Sequence, residues 1–183
     1  MLNINIDKTW TLFLDRDGVI NHEKHLDYIN HWDEFVFYKG VKQALKTFNN
    51  LFGNIIIVTN QRGVGKGVTT EKNLHIIHQN MLNEIKFSGG RVDAIYYCAD
   101  LDNHSPNRKP NPGMAHQAKK DFPAINFEHS IMVGNTLSDM EFGRNIGART
   151  IFLPTTLPDT PHDDKRIDAV FPSLLDFSKS LQQ

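Results

Sequence analysis

Asp15 and Asp17 stand one residue apart at the end of an apolar run, Thr11-Leu-Phe-Leu-Asp15-Arg-Asp17-Gly-Val-Ile-Asn21. Residues two apart on an extended chain share a face, so both carboxylates can aim at one reacting centre. One can attack while the other holds a proton or helps bind a metal. By itself such a pair is also what an ordinary strand-ending turn looks like, because Asp favours turns. Three later segments change its meaning. They are Thr59-Asn60-Gln61 with the glycine-rich Arg62-Gly-Val-Gly-Lys66-Gly67, then Arg108-Lys109-Pro110, then Gly134-Asn135-Thr136-Leu137-Ser138-Asp139. Together they offer a nucleophile, an acid, a hydroxyl, a lysine and further oxygens for a metal. Phosphoryl transfer to a carboxylate needs such a set. Mg²⁺ offsets the repulsion between an anionic nucleophile and an anionic substrate. A lysine and a hydroxyl hold the phosphoryl oxygens, and the second carboxylate protonates the leaving alkoxide.

The elements that must position these residues alternate between strand and helix. Leu12 to Leu14 read as a buried strand, after which Gly18 lets the chain turn. Residues 22 to 39 are turn-like and aromatic. Val41, Ala44, Leu45, Phe48 and Leu51 fall at helical spacing and predict a helix over 40 to 52. Asn54 to Thr59 is a continuous β-branched run suited to a central parallel strand. Leu74, Ile77, Met81 and Ile85 mark a second helix, ended by Gly89-Gly90. Strands follow at 92 to 98 and 131 to 133, with a helix at 112 to 121 whose first turn Pro112 suits. A helix at 137 to 146, a strand at 150 to 153, a Pro/Thr/Asp-rich loop, a short strand at 169 to 171 and a helix after Pro172 complete the order. This alternation predicts an α/β fold with a doubly wound parallel sheet. Each set of site residues then sits at a strand's carboxyl end, where open parallel sheets collect their chemistry.

Composition narrows the function classes. The 183 residues suit a single domain, residues 1–183, and carry 20 basic against 21 acidic side chains. No basic stripe favours a nucleic-acid partner, and no apolar run nears the roughly 20 residues of a membrane span. No signal segment is visible at the N-terminus. Cys98 is the only cysteine, which excludes an intrachain disulfide and fits a reducing, cytoplasmic setting. The loop at Arg62 to Gly67 is not a nucleotide-binding P-loop, since Gly67 stands where Ser or Thr must follow Lys66. A cradle for one phosphate is expected there instead. Trp10, Trp32, Phe35 and Phe37 are expected to pack. The nine scattered histidines, His25 among them, are expected at the surface or in the core rather than as ligands.

With these motifs in place, the chain resembles the haloacid dehalogenase superfamily of aspartyl-phosphate phosphatases over nearly its whole length. Asp15-Arg-Asp-Gly-Val-Ile-Asn21, Asp27-Tyr-Ile29, Phe35-Val-Phe37, Thr59-Asn-Gln61, Arg108-Lys-Pro-Asn-Pro-Gly-Met114 and Val133-Gly to Asp139-Met140 carry the likeness. Within the superfamily it looks like the heptose 1,7-bisphosphate phosphatase and histidinol-phosphatase branch. The resemblance implies that Asp15 is the nucleophile and Asp17 the general acid, then base. Thr59 and Lys109 would hold the phosphoryl group. Asn60, Gln61 and Arg108 would bind substrate, while Asp15, Asp17 through its carbonyl, Asn135 and Asp139 would ligate Mg²⁺. The implied substrate is a small phosphorylated sugar, foremost the C7 phosphate of a heptose 1,7-bisphosphate, with histidinol phosphate or another phosphosugar as alternatives. A phosphate-binding module whose catalysis is weakened at Asn135 is the alternative of another class.

Two departures from the family pattern matter. Asn135 stands where relatives usually have Asp, so the position lacks a charge for Mg²⁺. The branch also often binds a structural zinc through four Cys and His ligands. Here only Cys98 and His104 occupy that segment, too few for a closed site, and no zinc is expected. The interval 21–39 leaves room for a flap but not a domain, and 61–108 is used up by one helix, one strand and a short loop, so the site is expected to be open; the chain is expected to be a monomer.

Overall fold

The computed structural model describes residues 5–24 and 27–182. His25, and the first four residues of the N-terminal stretch read for a signal segment, lie outside the described residues. Six strands form one parallel sheet: β1 Thr11–Leu14, β2 Asn54–Asn60, β3 Ala94–Cys98, β4 Ser130–Gly134, β5 Arg149–Phe152 and β6 Ala169–Val170. Their order is β3-β2-β1-β4-β5-β6. The chain winds outward from β1 through β2 to β3, then returns to the other side of β1. The switch point therefore lies between β1 and β4, where Leu14 pairs with Val133.

Strand residues alternate between two apolar layers, which is why the strands read as unbroken apolar runs. Leu12, Leu14, Ile55, Ile57, Ile131 and Val133 face the layer shared with α1 (Val41–Leu51), α3 (Glu71–Phe87) and α6 (Leu174–Ser180). Phe13, Ile56, Val58 and Met132 face the opposite layer, under α4 (Gly113–Asp121) and α5 (Leu137–Asn145). The expected aromatic anchor is present as Trp32, Phe35 and Phe37, with ring centroids 5.1 Å apart in the first pair and 5.0 Å in the last.

Helix ends differ from expectation by one residue, for stated reasons. Gly40, at φ 83°, caps α1 rather than starting it, and Pro112 is the residue before α4 rather than its first turn. The third strand begins at Ala94, two residues late, because the Asp93 carboxylate accepts the Ile55 backbone N–H at 2.7 Å in place of a ladder bond. The glycine-rich segment is not an open loop throughout; residues Arg62–Gly65 form the short helix α2. Between β1 and β2, and between β2 and β3, the described residues hold short turns, a three-residue 3-10 helix at Trp32–Glu34 and the helices already named, so no cap domain is formed among them. Among the described residues no helix is long and apolar enough to cross a membrane.

Candidate active site

The carboxyl ends of β1, β2 and β4 deliver the site. The Asp15 backbone N–H donates to the Val133 carbonyl at 3.0 Å, which sets the turn after β1 against the turn after β4. Asp15, Asp17, Thr59, Asn60, Lys109, Asn135 and Asp139 line one cavity of about 170 Å³, joined by Glu23. Gln61 and Asp17 line the adjoining cavity of about 210 Å³, with Lys24, Asp27 and Tyr28 of the 22–39 flap. Arg108 is half-buried beside Arg62, and its Nη1 is buried without a partner.

Lys109 is the electrostatic centre. Its ammonium lies 2.8 Å from Asp15 Oδ1 and 2.6 Å from Asp139 Oδ1, and the side chain is 2% exposed. Burial works against its charge, but the two carboxylates outweigh burial and raise its pKa. Asn60 holds the lysine's backbone from both sides, donating to its carbonyl at 3.2 Å and accepting its N–H at 3.1 Å. The Asn60 amide is thus committed to positioning Lys109.

The two aspartates of the first motif sit in contrasting surroundings. Burial pushes Asp15 up to about 7, with Lys109 pulling it down and Asp139 pushing it further up. Asp17 is partly exposed, and although desolvation pushes its pKa up, Arg16 and hydrogen bonds from Asn21 and Gln61 hold it below the usual carboxylate range. Arg16 forks onto both Asp17 oxygens at 2.9 Å, and its Nη1 lies 3.1 Å from His78 Nε2 on α3. Arginine only donates, so His78 Nε2 must accept and the ring is neutral. Burial and the neighbouring guanidinium push the His78 pKa down to about 3, in agreement. Gln61 Nε2 bridges Asp17 Oδ2 and Thr59 Oγ1, each at 2.9 Å.

Asn135 is fully buried, and its Oδ1 has no partner. Asp139 is engaged at both of its oxygens. Beyond Lys109, its Oδ2 accepts from the Thr136 backbone at 3.0 Å and hydroxyl at 2.7 Å, closing a capping box on α5. The Asp15 carboxylate and the unpartnered Asn135 Oδ1 are hard oxygens that fit Mg²⁺, with the Asp17 carbonyl as the further ligand that the resemblance implies. Two buried aspartates, Asp15 and Asp139, and the partly exposed Asp17 and Glu23 share the cavity region with Lys109 and Arg16, an excess of negative charge that a divalent cation would offset. Among the described residues no group of three or more His, Cys, Asp or Glu forms a metal cluster. In the 98–109 segment Cys98 is buried 3.9 Å from Ser105 Oγ, which also bonds Asp100, while His104 is exposed.

Residues 10–173 match the family model described as polynucleotide kinase 3 phosphatase. A D-glycero-alpha-D-manno-heptose-1,7-bisphosphate 7-phosphatase from Mycobacterium bovis is 32% identical over 170 residues, 92% of this chain and 90% of that protein. The chain belongs to the haloacid dehalogenase phosphatases. Another member, the beta-anomer 7-phosphatase of Helicobacter pylori, is 35% identical, covering 82% of this chain and 87% of its own length. The haloacid dehalogenase fold is matched throughout. The D,D-heptose 1,7-bisphosphate phosphatase of B. bronchiseptica, complexed with magnesium and phosphate, superposes at a TM-score of 0.84 with 25% identity, covering 95% of this chain and 98% of that one.

Arg16, Asn21, His78 and Thr156 were not singled out from sequence. Asn21 lies inside the quoted motif, and Arg16 between its two acids, so a signal existed for both. His78 is one of nine scattered histidines, and nothing in its neighbours marks it.

Proposed function

We propose that this chain is a Mg²⁺-dependent phosphomonoesterase that removes the C7 phosphate of a heptose 1,7-bisphosphate through an aspartyl phosphate on Asp15. The observation that carries this reading is the buried Asp15 at the switch point, 2.8 Å from Lys109. Relatives named for that activity, at 32% and 35% identity, supply the substrate class. Asp15, the Asp17 carbonyl and Asn135 would hold Mg²⁺, which would supply positive charge to keep Asp15 ionised and to offset the charge of the substrate dianion. An Asp15 oxygen attacks phosphorus, and the bond from phosphorus to the sugar oxygen breaks. Asp17 gives its proton to that oxygen. Thr59 Oγ1 and Lys109 Nζ donate to the phosphoryl oxygens, where charge builds. Water then attacks phosphorus, the bond from phosphorus to the Asp15 oxygen breaks, Asp17 takes the water's proton, and inorganic phosphate leaves with Asp15 ionised and Asp17 protonated as at the start. The ring of donors around Asp17 favours its ionised form and so the second half-reaction. Arg108 with its unpartnered Nη1, beside Arg62, suits the second phosphate of a bisphosphate.

A phosphate-release screen tests this. It takes both anomers of heptose 1,7-bisphosphate, histidinol phosphate, simple phosphosugars and a 3′-phosphorylated oligonucleotide, each with Mg²⁺ and with EDTA. A heptose bisphosphate is expected to lead in kcat/KM by roughly tenfold or more, with EDTA abolishing turnover. A faster competitor overturns the substrate, and silence throughout favours the phosphate-binding module.

No zinc is expected in the purified protein, because Cys98 and His104 are too few ligands in this segment for a closed four-ligand site. Elemental analysis finding one tightly held zinc per chain would refute this.

A further inference from the structure

The Asp17 carboxylate is gripped from two sides. From the β2 side, Gln61 Nε2 donates to its Oδ2 at 2.9 Å. On the other side are the Arg16 fork and Asn21, which belong to the same turn as Asp17 and tie it only to that turn. The link from this turn to α3 is the remaining guanidinium nitrogen, Arg16 Nη1, 3.1 Å from His78 Nε2. The sense of that bond is fixed, because arginine only donates and the imidazole nitrogen must accept. His78 itself is well held. It is 6% exposed on the face of α3 that buries Leu74, Ile77 and Met81, and its ring meets the Tyr97 ring of β3 edge-on at 6.2 Å.

We propose that His78 is a positioning residue for the reaction: by accepting from Arg16 it anchors the guanidinium to α3, and the guanidinium holds the Asp17 carboxylate where the leaving oxygen of the substrate meets it. The inference rests on the reading of Asp17 as the general acid. The Arg16 side chain is 1% exposed, so loss of His78 strands a buried N–H. A guanidinium that turns to regain an acceptor takes its fork with it, and Asp17 loses its hold on that side. A neutral acceptor suits the position. A carboxylate there would compete with Asp17 for the charge of Arg16, whereas an imidazole satisfies Nη1 and leaves that charge to Asp17.

Leaving-group dependence separates the positioning of an acid from packing. A sugar alkoxide needs a proton to leave, and p-nitrophenolate does not. On the phosphosugar that leads the screen, His78→Leu is expected to lower kcat/KM about ten- to a hundredfold, part of the roughly 10²- to 10⁴-fold that a general acid supplies. On p-nitrophenyl phosphate the loss is expected to stay below about threefold. Asp17→Asn is the reference and is expected to show the same split, only larger. His78→Gln, which presents an oxygen to the donor-only Arg16, is expected to stay within about threefold of the parent on both substrates. In an Arg16→Met background, His78→Leu is expected to change either value by less than about twofold. That double variant strands no buried N–H, so it reads the coupling even where His78→Leu alone does not fold, and circular dichroism checks each protein. Equal losses on both substrates in His78→Leu, or a tenfold further loss in the Arg16→Met background, overturn the inference and leave His78 a packing residue. Parent-like kcat/KM on the phosphosugar in His78→Leu overturns it while Asp17→Asn still shows its split. No split in Asp17→Asn overturns the acid role of Asp17, and this inference with it.

Discussion

Asp15→Asn is expected to lose turnover by about 10³-fold or more and, in EDTA at pH 8, to melt above the parent. The first effect follows from chemistry, since an amide does not act as the nucleophile and forms no acyl phosphate. The second follows from the surroundings of Asp15. Burial raises its pKa from 3.8 in the unfolded chain to about 7, so without a cation the folded state holds the Asp15 proton more tightly than the unfolded state. Stability then falls as pH rises from about 4 to about 7, and the full loss is present above that. At about 1.4 kcal/mol per pH unit, that rise makes the ionised carboxylate cost on the order of 4 kcal/mol. Removing it leaves Lys109 with one carboxylate, Asp139, in place of two. The expected rise in melting temperature is about 5 to 10 °C at pH 8, vanishing near pH 4. Saturating Mg²⁺ is expected to stabilise the parent more than the variant. Near-parental phosphate release would overturn the covalent mechanism, and a variant that melts lower at pH 8 would overturn the electrostatic reading.

What was legible in the sequence was whatever acts through local pattern. The β-branched run at Asn54 to Thr59 could only be a strand buried on both faces, and the alternation of such runs with helical stripes dictates the parallel sheet. The position of Asp15 at a strand's carboxyl end, followed by a glycine at φ 83°, followed from the same logic. Less legible was the work of side chains that act on one another across the fold. Asn60 reads as a polar residue beside a phosphate cradle, yet its amide is spent on the backbone of Lys109, 49 residues away. Asp139 reads as a metal ligand, yet Lys109 and the α5 cap take up both oxygens. Arg16 reads as a spacer between two acids because its partner, His78, is 62 residues along the chain. Such pairings depend on which turns the sheet order brings side by side, and no window of sequence contains that order.

Lys109→Met carries the second large effect, this time on stability as much as on turnover. The methionine fills the same length, and Asn60 still holds the backbone at position 109, so the loop keeps its place. Asp15 and Asp139 are then left facing each other in a buried site with no cation between them. Removing one partner of a buried ion pair costs about 3–5 kcal/mol, because a charge stays behind unpaired. A loss of up to that size is expected in EDTA at alkaline pH, shrinking as pH falls and Asp15, whose pKa Lys109 no longer pulls down, takes up its proton. Turnover is expected to drop by about 10²- to 10³-fold even with Mg²⁺, since a donor to the phosphoryl oxygens is lost. The double variant Lys109→Met/Asp139→Asn separates the two roles. Removing the stranded charge at Asp139 is expected to restore most of the stability and none of the activity. Denaturant melts and phosphate release on the same preparations decide it. Full activity in Lys109→Met would remove the lysine from the reaction, and unchanged stability would mean that the two carboxylates do not depend on its charge.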